Sequence, residues 1–86
     1  MIGIKLAYYR KKDWKRFLKI IDDRESMHDT WNAWQKDFLK AKNELLEQGF
    51  VVDNVEIDLD ELINYCKMRG IRNDGKARSQ FVQIGK

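Results

Sequence analysis

Trp31, Trp34, Phe38, Ala41 and Leu45 follow one another at intervals of three, four, three and four residues, and this rhythm constrains the fold more than any other stretch of the chain. Side chains so spaced share one stripe of a 3.6-residue helix, which predicts a long amphipathic helix with an aromatic seam. Leu39 and Leu46 flank the stripe, and Gly49 stands where a left-handed residue ends a helix. A stripe of this size must be covered. It is either the central rib of a monomeric core or an interface with another molecule.

The elements available to cover it can be read on both sides. Residues 2–9 set Ile2, Ile4, Leu6 and Tyr8 against Gly3, Lys5, Ala7 and Tyr9, the period-two pattern of a half-buried strand. From Asp13 the period changes: Trp14, Phe17, Leu18 and Ile21 share a helical face, predicting a first helix to about Asp22. The polar run Asp22 to Asp29 reads as a loop, with Ser26, Asp29 or Thr30 as the cap of the long helix. Beyond Gly49, residues 50–58 read as a second strand, with Val51, Val55 and Ile57 in one phase and a bulge or turn expected at Asp53-Asn54. Asp58 and Glu61 approximate a capping box before a third helix that buries Leu59, Leu62, Ile63 and Cys66 and stops at Gly70. After a connector with Asn73 or Asp74 as cap, Lys76 to Gln83 forms a last helix turning Ala77, Phe81 and Val82 inward. The expected fold is a small, mostly helical α+β domain of order β-α-α-β-α-α. Two strands alone are marginal in water, so the sheet must lean on helices or be extended by a second copy in a homodimer.

Length and composition narrow the class. With 86 residues, 43% of them hydrophobic, residues 1–86 make one globular domain with one small core. Proline is absent, which leaves turns to glycine, Asn and Asp. One cysteine and one histidine exclude an internal disulfide and a closed zinc set. The single cysteine suits a reducing, cytoplasmic setting, and no apolar run reaches the ~18 residues of a membrane span or the pattern of a secretory signal. The expectation is a soluble protein without a membrane association or a small-molecule cofactor.

Charge is distributed unevenly. Arg10, Lys11, Lys12, Lys15, Arg16 and Lys19 face only Asp13, and Lys67, Arg69, Arg72, Lys76, Arg78 and Lys86 face only Asp74. Residues 20–66 hold twelve acids against four bases, so the net charge of +3 conceals a dipolar chain. Basic ends that meet in the fold make one surface for a polyanion or for the acidic face of a protein. On the first helix, Lys11, Lys12, Lys15, Arg16 and Lys19 can each neutralise a phosphate, with Tyr8, Tyr9 and Trp14 beside them to stack on unpaired bases. The bland alternative is a solvated face over a core Trp14.

The second basic cluster lies in a segment, Leu62 to Val82, that resembles the spacing of a helix-turn-helix unit. The resemblance places Arg72, Lys76, Arg78, Ser79 and Gln80 on or next to the recognition helix, where Arg78 and Gln80 have the chemistry to read base edges. It departs from the usual register at Lys76 and Ser79, where apolar residues belong, and an ordinary antiparallel helix pair accounts for the same residues. Other candidates have less support. The acidic run from Asp53 to Glu61 lacks the lysine of a nuclease site and the glycine of a calcium loop. His28-Asp29 has no nucleophile placed near it, and Cys66 reads as a small core hydrophobe. Gly70 to Ala77 has the tail of a phosphate-binding loop with alanine in place of the hydroxyl. No catalytic constellation emerges. The sequence points to non-enzymatic nucleic-acid binding through basic helices, with a homodimeric protein-interaction module as the alternative.

Overall fold

A computed structural model describes residues 2–84. Strand β1 (Gly3–Tyr8) leads into a 3-10 turn at Lys11–Asp13 and helix α1 (Trp14–Ile20); a second 3-10 turn, Arg24–Ser26, precedes the long helix α2 (Trp31–Glu47). Strand β2 (Val51–Glu56), helix α3 (Leu59–Arg69) and helix α4 (Gly75–Ile84) complete the order β-α-α-β-α-α that periodicity predicts. The two strands pair in parallel, Gly3 against Val51 through Tyr8 against Glu56, with α1 and α2 forming the crossover. Parallel pairing requires such a long connection, since a tight hairpin can join only antiparallel neighbours.

Local chemistry explains most element ends. Thr30 is the cap of α2, its Oγ1 accepting from the Ala33 N–H at 3.2 Å. Asp58 caps α3 through the Glu61 N–H, and Asp74 caps α4 through the Ala77 N–H. Gly49 at φ 92° and Gly70 at φ 63° supply the left-handed residues after α2 and α3. Two boundaries differ from expectation. The first helix stops at Ile20 because Ile21 is extended and the Asp22 N–H turns to the Asn73 carbonyl at 2.8 Å. The bulge expected at Asp53-Asn54 is absent: the register runs unbroken, and Asp53 lies beside Lys5 with both side chains exposed.

The sheet borders the core rather than forming its centre: Leu6, Ala7, Tyr8 and Val55 pack against it. No residue of β1 or β2 is fully buried, whereas Phe17 of α1, Leu62 of α3, Phe81 and Val82 of α4, and Ile57 just past β2 are almost wholly enclosed. Each such side chain contributes about 1.5–3 kcal/mol by leaving water, so stability is concentrated where both strands end. Tyr9 stacks on Phe17 with centroids 4.1 Å apart and meets Trp34 at 5.2 Å, joining the aromatic seam to this centre. The seam is core only in its first half. Trp34 and Phe38 are buried and Leu45 is half-buried, but Ala41 is exposed. At the opposite end of the sheet Ile2, Val51 and Leu46 remain 68%, 45% and 47% exposed.

Candidate nucleic-acid interface

Most of the arginines in this fold pair with carboxylates, and, among the described residues, the lysines at and before α1 do not. Arg10 pairs with Asp13 at 2.8 Å, Arg24 with Asp29 at 2.8 Å, Arg16 with Asp60 at the start of α3, and Arg78 with Asp23 at 2.8 Å. A guanidinium forks onto a carboxylate and so suits structural pairing. Lys12, Lys15 and Lys19 are exposed, and none has an ion-pair partner among the described residues. Lys11 is exposed too, its Nζ 5.8 Å from the centroid of the Trp31 ring. Lys15 and Lys19 stand one turn apart on α1, about 6 Å, and Lys11, in the 3-10 turn that leads into α1, borders the same groove as Lys15 and extends this ridge, while Arg16 turns away to α3.

Between this ridge and the start of α2 lies a shallow groove of about 330 Å³. Trp14, Leu18 and Trp31 form its apolar floor, with Lys11 and Lys15 on the rim. Asp29 also borders it, neutralised by Arg24. Both indoles are held by their N–H groups: Trp31 Nε1 donates to the Tyr9 carbonyl at 2.8 Å and Trp14 Nε1 to the Asp29 carbonyl at 3.4 Å. Trp14 is buried and Trp31 half-buried, so Trp31 is the more accessible indole beside the lysines.

Arg78 corrects a sequence expectation. It is only 4% exposed and cannot reach a base edge. Its Nη1 donates to Asp23 Oδ1 at 2.9 Å and to the Asn73 carbonyl at 3.0 Å, and its Nη2 donates to Asp23 Oδ2 at 2.8 Å. The Arg78 hydrogen bonds hold the Asp23 carboxyl below the usual carboxylate range, outweighing its partial burial. Burial pushes the adjacent Tyr9 phenol up to about 12, with the Arg78 charge opposing. Tyr9 and Trp14, expected as stacking groups, are therefore core residues. Spacing did carry the signal: Arg78 stands three and four residues before Phe81 and Val82, on the same buried helical face.

The same junction ties the loop after α1 to the start of α4. Asp22 accepts from the Asn73 N–H at 2.7 Å, the Asp22 carbonyl accepts from Arg72 at 2.9 Å, and Asp23 accepts from the Gly75 N–H at 3.1 Å. Arg72, Lys76 and Gln80 are exposed and line a second groove of about 290 Å³ with Ile71, Asp74 and Ala77. The two grooves share no lining residue. Lys86 lies outside the described residues. His28 turns to Asp37, with Nε2 2.6 Å from its carboxylate, rather than to Asp29. Cys66 is buried in the core, and burial raises its thiol pKa. No helix among the described residues is long and apolar enough to cross a membrane.

Compared with known proteins, the chain matches no family model, no curated sequence and no solved structure.

Proposed function

We propose that this protein binds nucleic acid without catalysing a reaction on it, holding the phosphate backbone along the α1 lysine ridge. The observation that carries the reading is the sorting of the basic residues. Four arginines are paired with carboxylates, three of them at the surface, and the lysines of α1 and of the 3-10 turn before it are left exposed without an ion-pair partner among the described residues. Ammonium groups so placed exchange water and counterions for phosphates at little structural cost. Arg72, Lys76 and Gln80 form a second, smaller polar site near the start of α4, where Gln80 takes over the base-reading role that Arg78 cannot fill.

Fluorescence anisotropy with labelled oligonucleotides over a range of salt concentrations tests this. Four phosphate contacts predict a slope of log K against log salt of roughly −3 for a single strand and roughly −4 for a duplex. The variant Lys12→Glu, Lys15→Glu, Lys19→Glu should fold normally and lose binding at near-physiological salt. Arg16 is kept in that variant because its pairing with Asp60 ties α1 to α3. A folded triple variant that binds as well as the parent would refute the proposal.

A second reading has its own observation. The end of the sheet remote from the core exposes Ile2, Leu46 and Val51, and β2 has no strand on its outer side among the described residues. An open edge beside apolar side chains is the usual template for pairing with a second copy. Self-association there is compatible with a lysine ridge on α1.

A further inference from the structure

We infer that the groove between α1 and the start of α2 seats one unpaired nucleobase, so that the ligand of the lysine ridge is a single-stranded nucleic acid. This rests on the nucleic-acid reading of the ridge and adds to it the class of strand. Charge alone does not separate single strands from duplexes, because both present phosphates to lysine. The groove does. Its floor of Trp14, Leu18 and Trp31 is apolar, and at about 330 Å³ it lies at the small end of ligand pockets, which run from roughly 300 Å³. A planar ring can enter and lie on Trp31; a paired and stacked base cannot leave its helix to do so without unstacking.

Two features make the seat ready for use. The hydrogen bond from Trp31 Nε1 to the Tyr9 carbonyl fixes the indole, so little side-chain freedom is lost when a base stacks on it. Lys11 and Lys15 stand on the rim, where the phosphates on either side of a seated base would run, and the Lys11 ammonium, 5.8 Å from the Trp31 ring centroid, is within reach to exchange the ring for a phosphate when a base takes its place. Asp29 is the one acid on the rim, and Arg24 holds its carboxylate. The occupant is thus planar, apolar on its faces and anionic on both sides, which describes a nucleotide within a strand.

The test titrates the full chain with labelled oligothymidylate, oligouridylate and a duplex of equal length at near-physiological salt, using parent, Trp31→Leu and Trp31→Phe. The parent should prefer the single strands. Trp31→Leu should weaken single-strand binding by roughly five- to a hundred-fold and leave duplex binding unchanged, while Trp31→Phe, which keeps a ring face, should retain most of the affinity. Tryptophan emission of the parent should be quenched on saturation, since Trp14 and Trp34 are buried and Trp31 is the accessible ring. Equal affinity for strands and duplex with no effect of Trp31→Leu would overturn the base seat and leave the lysine ridge standing. Absence of binding to any of the three would overturn both. If Trp31→Leu fails to fold, unquenched parent emission at saturation is the overturning result.

Discussion

Arg78 brings a positive charge into the interior, where its side chain is 5% exposed, and Asp23 answers it from a position 15% exposed. Removing one member of such a pair strands the other without its counter-charge, which costs about 3–5 kcal/mol. Arg78→Ala should therefore lower unfolding stability by about 3 kcal/mol or more in urea titrations, a large share of what an 86-residue domain has. Asp23 also sets a pH dependence. Its folded pKa lies below its unfolded value, so its contribution is fully present above the unfolded pKa of about 3.9 and is lost as pH falls through the depressed folded value. Thermal unfolding at neutral and acidic pH checks this: Asp23→Asn should be less stable than the parent at neutral pH and lose less on acidification. Exposed Arg16 and Asp60 make no comparable contribution, because water and salt screen them.

At the scale of the elements, helix caps and periodicities were legible because they depend on neighbours a few residues away. Thr30, Asp58 and Gly70 all serve as such local signals. Thr30→Ala removes the acceptor for the Ala33 N–H and should destabilise the protein by about 1 kcal/mol, read as a lower urea midpoint with an unchanged slope. The absence of a bulge in β2 was not legible, since an acid in the apolar phase signals a break only if that face is covered. Here the face around Asp53 is open, and register survives. In α2, a uniform 3-4 rhythm gave no hint that Trp34 and Phe38 would be buried while Ala41 would not. Cover depends on where other elements end, which is a tertiary property. Of the candidate site, the lysines of α1 were legible from charge and spacing, whereas the roles of Trp31 and Arg78 depended on packing against Tyr9 and Asp23.

For the molecule as a whole, the fold is firmly closed at one end and bare at the other. Fully buried side chains gather where both strands end, and the starts of the strands expose Ile2, Val51 and the nearby Leu46. This asymmetry predicts concentration-dependent self-association, measurable by sedimentation equilibrium. Leu46→Glu should shift the mass toward the monomer while leaving unfolding stability within about 0.5 kcal/mol of the parent, as expected for an exposed site. Several of the closures that hold the fold span long stretches of chain. Tyr8 is matched with Glu56, Asp23 meets Arg78 fifty-five residues later, and Gln83 donates to the Lys5 carbonyl across seventy-eight. During synthesis, β1 consequently leaves the ribosome long before its pairing strand, and the segment that answers Asp23 follows fifty-five residues after it. Folding must wait for nearly the whole described chain, and until then the aromatic segments are open to chaperones and to one another.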